Sequence, residues 1–408
     1  MTLDLDLPTT LAIAFLVLLA GRFCNRRIAL LDRYNIPDPI TGGILASMAG
    51  LVLHQSFAID LSYDMTLRNP AMLAFFTTIG LGASLRTLVA GGRSLIVFLI
   101  VVALFLVVQN AVGIGLAEVF DLNPLVGLIG GSVTLSGGHA TGAAYAAPFA
   151  AVQNLQGAVA LALTAATFGL IAGGIIGAPV ARFLIVRYGL SSNATGANSL
   201  AARAPAAAPV QPVGADDILE TLFAITLCMV GGAYLARWLA SESLTIPGFL
   251  WSLLIGVVIR NLSELFGFAR LNQASIDLLG SVFLSLFLAL TMMSLRLWEL
   301  ASLAGPLLAI LAVQVAIMIA YACLVTYRVM GRVTGRGYDA AVLAAGHCGF
   351  GLGSTATAIA NIQALTRRFG PSPQSFVIIP LTGAFFIDLI NALVITFYLR
   401  LPLFGFGG

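Results

Sequence analysis

Lysine is absent from this chain: its 20 basic residues are all arginine. A Walker A loop needs its lysine at the phosphates, which argues against an ATP-driven pump within this chain, and no lysine Schiff base can form. Charge of either sign is scarce. Charged residues are 9% of 408 and hydrophobic ones 59%, with a mean hydropathy of +1.01. A soluble protein carries about 25% charge. The composition is that of a polytopic membrane protein, with apolar runs near the ~20 residues a helix needs to cross a bilayer. No alternating ~10-residue strand pattern appears, which argues against an outer-membrane barrel. No basic patch supports nucleic-acid binding. The four cysteines (Cys24, Cys228, Cys323, Cys348) are scattered without metal-ligand spacing and read as small core residues. Met1 to Pro8 is acidic and lacks the basic n-region of a cleaved signal, so the first apolar stretch is expected to be a permanent span.

Spans are expected near 9–25, 39–55, 69–86, 94–117 and 155–181, then near 217–237, 246–262, 277–296, 305–327 and 375–399. Between the two series lies a linker, 190–215, rich in Ala, Pro, Ser and Asn. Ambiguous stretches, 124–148 and 338–365, precede the last span of each series. The halves also match in sequence. Ile36-Pro37 recurs as Ile246-Pro247, and Ser84-Leu85-Arg86 as Ser294-Leu295-Arg296, both at an offset of 210. A shared offset indicates an internal duplication, with repeats at 1–189 and 216–408.

Five spans per repeat is an odd number, so the repeats are expected to be inverted in the membrane. With both termini outside, 16 arginines fall inside, and only Arg68, Arg237, Arg296 and Arg400 fall outside. The positive-inside rule favours that orientation, which places the linker in the cytoplasm and the termini in the periplasm. It holds only if both ambiguous stretches enter and leave on one side, as re-entrant hairpins. The sequons at Asn193 and Asn261 fall on the inner side and read as chance matches.

Each ambiguous stretch carries a Gly/Ser/Thr-rich interruption, Thr134–Gly142 and Gly346–Thr355. Broken backbone survives at membrane depth only inside protein or along a wet cavity. A matched pair in two repeats points to a transporter's substrate site. A half-helix starting there aims N–H groups and a positive dipole end at an anion, while carbonyls and hydroxyls suit Na⁺. The alternative is a small-residue helix contact, to which Gly42, Gly43 and the cluster Gly169 to Gly177 are assigned. Asp388 lies inside the last span, where a charge costs about 2.5–3.5 kcal/mol at mid-membrane. It can bind Na⁺ or a substrate ammonium, or serve as a buried anchor; Asn391 shares its helical face. His139 and His347 are expected to be hydrogen-bonding residues rather than proton relays. Gln109 and Asn110 sit mid-span and either reach the cavity or bond helix to helix.

The stretches Asn69–Gly80, Ser136–Ala144, Ala344–Gly353 and Gly383–Asp388 resemble the bacterial sodium/glutamate symporter family over nearly the whole length outside the linker. The resemblance implies an all-α polytopic membrane protein of two inverted repeats of five transmembrane helices, each with a re-entrant hairpin. It implies a homodimer whose transport domain slides on a scaffold, as in the similar sodium/citrate carriers. It further implies Na⁺-coupled glutamate uptake across the bacterial inner membrane, with no cofactor beyond Na⁺ as coupling ion. The family's Gly-Gly-x-Gly element is carried by Gly137-Gly138-His139, with Ala at position 140. Transferred to this chain, L-glutamate would meet Ser136, Gly137, Gly138, His139, Thr141, Gly351, Ser354 and Thr355, with Asp388 or Asn391 balancing its ammonium. Na⁺ would meet Thr134, Ser136, Gly346, Gly349 and Asp388. A Na⁺-coupled carrier of another carboxylate, such as a di- or tricarboxylate, is the nearest rival; such a carrier would be expected to place a carboxylate-clamping Arg near the interruptions, and neither holds one. An intramembrane enzyme would need a nucleophile with a base, or a ligand cluster, and the two histidines have no such sequence partners. A passive channel is the remaining alternative.

Overall fold

The computed structural model describes residues 2–33, 36–57, 59–152, 155, 157–192, 213–238, 248–267, 271–294 and 304–401. The sequon at Asn193, most of the linker, the Ile246-Pro247 match and Leu295-Arg296 lie outside the described residues. Eight described helices are long and apolar enough to cross a membrane. The chain divides into two compact units: Met1–Gly82 with Gly142–Thr164 and Val213–Gly305, and Ala83–Thr141 with Ala165–Pro212 and Pro306–Gly408.

The first unit is built on α1 (Leu7–Arg27), α3 (Asp38–Phe57), α4 (Arg68–Gly82), α9 (Ala215–Trp238), α10 (Gly248–Phe266) and α11 (Gln273–Met293), with the short α2 (Ala29–Arg33) after α1. Asp6 starts α1 by accepting from the Thr9 N–H at 3.1 Å, and Arg26 and Arg27 close its last turn. Its burial is that of a lipid-facing helix. Small Thr10, Ala14 and Gly21 are buried, whereas Phe15, Leu16, Leu19 and Phe23 are exposed. Small residues let helices approach closely without a hydrophobic drive between them. A Cβ on Gly42 would strike the Val17 carbonyl, and one on Gly43 would strike the Met292 side chain. Gly80 approaches the Leu253 backbone in the same way. The helix-packing expectation for Gly42 and Gly43 holds.

Three differences from the sequence reading are physical. Thr2–Asp4 and Asp60–Ser62 form a parallel two-strand ladder, Leu3 opposite Leu61, and among the described residues these are the only strands. Strands of three residues leave no readable alternation. The expected span 69–86 is the 15-residue α4, which ends at Gly82, before extended Ser84 starts the next helix. The expected span 375–399 runs helical throughout but holds a π turn at Thr382–Phe386, between α16 (Pro373–Leu381) and α17 (Ile387–Leu399).

The second unit contains α5 (Leu85–Val119), α6 (Pro124–Leu128), the start of α7 (Gly138–Val152), most of α8 (Ala158–Tyr188), α12 (Ala304–Tyr321), α13 (Tyr327–Thr334), α14 (Gly337–Leu352), α15 (Thr355–Phe369), α16 and α17. Gly92, at φ 64°, kinks α5. Two further π turns lie at Ile129–Val133 and Ala322–Thr326. A π turn adds a residue to the helical ladder and is frequent at functional sites.

Candidate functional site

The first interruption is assembled by local hydrogen bonds. Asn123 caps α6, accepting from the Leu125 N–H at 2.9 Å, and α6 runs into the π turn Ile129–Val133. The Thr134 hydroxyl donates to the Ile129 carbonyl at 2.6 Å. The Gly137 N–H then donates to the Ser132 carbonyl at 2.9 Å, and the Gly138 N–H to the Thr134 carbonyl at 2.8 Å. Gly138 has φ +66°, the left-handed region that glycine enters without a Cβ penalty, and α7 starts from it. Ala140 lies inside α7, where no glycine freedom is required.

The second interruption ends α14 at Leu352. The Ser354 N–H returns to the Gly349 carbonyl at 3.1 Å, and the Ser354 hydroxyl caps α15 by accepting from the Thr357 N–H at 3.2 Å. Ser354 and Thr355 are half-buried and Ala356 is exposed, so the N-terminal turn of α15 opens outward.

The two interruptions meet within the second unit. The Ser136 hydroxyl lies 2.8 Å from Gln109 Oε1 and 3.0 Å from the Gly351 carbonyl, which also accepts from Gln109 Nε2 at 3.0 Å. A Cβ on Gly138 would lie 3.8 Å from the Gly353 carbonyl. The N-terminal ends of α7 and α15 thus start beside one contact. Each carries about half a positive charge and unpaired N–H groups, which favours an anion.

A second set of polar groups borders the first interruption. Asn391 Nδ2 donates to the Ser132 carbonyl at 2.9 Å, and Asn110 Oδ1 accepts from the Ser132 N–H at 2.8 Å. These bonds fix both amide orientations. They leave Asn110 Nδ2, Ser132 Oγ and Asn391 Oδ1 buried with no partner among the described residues. A buried unmet polar atom costs about 1–3 kcal/mol. Around one serine lie one unpaired donor and two unpaired oxygens, and the oxygens are of the kind that suits a hard cation. Asp388, one turn before Asn391, is half-buried, and its carboxylate has no ion pair or hydrogen bond among the described residues. The π turn directly before it brings Gly383 against Thr355, where a Cβ would lie 3.1 Å from Thr355 Cβ.

The other sequence candidates separate into contacts and supports. A Cβ on Gly137 would lie 2.6 Å from Thr141 Cβ, 2.7 Å from the Val133 carbonyl and 2.8 Å from Asn391 Nδ2, so these residues are in direct contact. His139 Nε2 is 2.9 Å from the Thr167 hydroxyl. His347 Nδ1 is 2.9 Å from the Thr326 hydroxyl, and its ring sits among Phe98, Phe105, Tyr321 and Phe350. Gly346 packs against Ile379 and Gly349 against Ala358, both within α14. A Cβ on Gly351 would meet Met318 Sδ at 3.0 Å. The packing expectation for the 169–177 cluster holds at Gly169, Gly173 and Gly177. They take the Leu352 backbone, the Gly349 carbonyl and the Asn361 amide respectively. Ser132 was outside the sequence reading; its signal is the Gly130-Gly131-Ser132 run just before Thr134. Of the two readings of Gln109, the contact across the unit applies.

The profile of the sodium/glutamate symporter family matches residues 3–371. A protein of Escherichia coli (strain K12) described as a sodium/glutamate symporter is 48% identical over 405 residues, covering 98% of this chain and 99% of that relative. A Haemophilus influenzae protein of the same description is 48% identical over 386 residues, covering 94% of each. Near-complete coverage in both directions includes both interruptions and the stretch that bears Asp388. This chain belongs to the sodium/glutamate symporter family.

Proposed function

We propose that this chain is a secondary active transporter that carries glutamate into the cell with Na⁺, without enzymatic chemistry. The observation that carries this reading is the contact of Ser136 with the Gly351 carbonyl, beside which α7 and α15 begin and buried oxygens lie unpaired. The dipole ends and the hydroxyls of Thr141, Ser354 and Thr355 receive the carboxylates. Asp388 or Asn391 takes the ammonium. Na⁺ takes the free oxygens of Ser132, Asn391 and Asp388, beside the candidates Thr134, Ser136, Gly346 and Gly349. Because cation and anion complete one polar cluster, each raises the affinity of the other, and this reciprocity couples uptake to the gradient.

The finer architecture belongs to the same proposal. The chain forms two inverted repeats, with re-entrant hairpins near 124–148 and 338–365 and a cytoplasmic linker at 190–215. It works as a homodimer in the bacterial inner membrane with both termini in the periplasm. The unit that holds both interruptions is the moving part of an elevator-like cycle. The Gly-mediated packing within the other unit suits a scaffold.

The test is uptake by proteoliposomes. Labelled glutamate should accumulate only under an inward Na⁺ gradient, and excess dicarboxylate should fail to compete. Equal uptake without Na⁺ would refute the coupling, and preferred dicarboxylate uptake would favour the rival carrier.

A further inference from the structure

A cavity of about 700 Å³ lies in the second unit between the C-terminal turns of α8 and those of α15. Its wall includes Arg182, Phe183, Val186 and Arg187 from α8, and Arg368 and Phe369 from α15. The spacing i, i+1, i+4, i+5 places the α8 group on one helical face. None of the three arginines has an ion pair or a hydrogen bond among the described residues, and no carboxylate lines the cavity. Arg368 stands over the Phe369 ring at 5.5 Å.

The ordinary explanation is that arginines here offset the negative ends of two helices. Two helix C-termini supply only about one negative charge between them, so three guanidinium groups leave a positive excess. The apolar wall narrows the occupant further. Phe183 is 60% exposed and Val186 is 68% exposed, directly beside Arg182 and Arg187. A soluble anion gains nothing from these side chains. An anionic phospholipid satisfies both, its phosphate against the guanidinium groups and its acyl chains over the apolar wall.

We propose that this cavity binds the headgroup of an anionic glycerophospholipid. The site has a route to transport, a step that rests on the proposed function. The same α8 packs Gly169, Gly173 and Gly177 against Leu352, the Gly349 carbonyl and Asn361, around the second interruption. A lipid bridging Arg182 and Arg187 to Arg368 braces α8 on α15 and steadies that interruption.

The test uses the full-length chain in neutral detergent, titrated with phosphatidylglycerol, phosphatidylcholine or inorganic phosphate and read by native mass spectrometry and thermal unfolding. Phosphatidylglycerol should bind and raise the unfolding temperature, whereas phosphatidylcholine and inorganic phosphate should not. The combined Arg182→Gln, Arg187→Gln, Arg368→Gln variant should lose at least about tenfold in lipid affinity, with Arg368→Gln alone intermediate. Arg332→Gln, away from the cavity, should bind as the parent does. An unchanged affinity in the combined variant, or equal stabilisation by inorganic phosphate, overturns the proposal. Uptake in liposomes with and without phosphatidylglycerol is measured separately. Lipid binding without any effect on uptake removes only the bracing step, and failure of Na⁺-driven uptake itself bears on the transport reading and not on the lipid site.

Discussion

The two units share glycine-mediated packing and differ in their polar interiors. In the first, regular helices pack through glycines that seat backbone on backbone, as at Gly42 on Val17 and Gly80 on Leu253. In the second, glycines such as Gly169 also seat on backbone, but described helices carry three π turns and a kink at Gly92, and six buried polar side-chain atoms lack partners among the described residues. The first unit has one such atom among its described residues, Ser275 Oγ. Membrane interiors penalise unpaired polar groups. Three of the six, on Asn110, Ser132 and Asn391, gather around one serine beside the first interruption.

That contrast can be broken experimentally, and the largest effect is expected at Asp388. Asp388→Asn should abolish Na⁺-driven uptake while expression and size-exclusion profile stay normal; retained uptake would remove Asp388 from the site. Next comes a pair of glycines. Gly137→Ala should cut uptake by about 100-fold or more, because its Cβ meets Thr141, the Val133 carbonyl and Asn391 together. Gly43→Ala should instead cost about 1–3 kcal/mol of stability through overpacking against Met292, with uptake per folded molecule largely kept. Similar losses of specific activity at both positions would erase the distinction between the units.

Smaller effects sharpen the comparison. Ser132→Ala should raise the Na⁺ concentration for half-maximal uptake by about tenfold, since it deletes one of the two unpaired oxygens. Ser275→Ala should leave Na⁺ dependence unchanged and be neutral or slightly stabilising, because it removes an unmet hydroxyl. The smallest loss of stability belongs to Ser354→Ala, which should lower thermal stability by about 1 kcal/mol through loss of the α15 cap and should also weaken glutamate affinity, since it deletes a proposed carboxylate donor.

Much of this was readable in the chain, because it follows from residue type. Long apolar runs mark most of the helices, and Gly/Ser/Thr clusters mark both interruptions. Asn391 follows from its spacing to Asp388. What stayed hidden depends on partners far away in sequence. Gln109 and Asn110 were ambiguous because their partners, Gly351 and Ser132, lie on other elements. The glycines of α8 were readable as packing residues, but their seat against the second interruption was not. The π turns left no trace, since one extra residue in a helical ladder changes no composition. One such turn lies in the last span, ahead of Asp388.

The central claim is that glutamate and Na⁺ share the place where the two interruptions touch. Its most direct test is ligand protection of single cysteines at Ala140 and Ala356, with the four native cysteines replaced. Ala140 is half-buried and Ala356 exposed, and both positions should react with a small maleimide in the absence of ligand. Glutamate should slow labelling at both positions when Na⁺ is present and at neither when choline replaces it. Labelling that ignores glutamate at both positions, with Na⁺ present and uptake intact, would contradict the account.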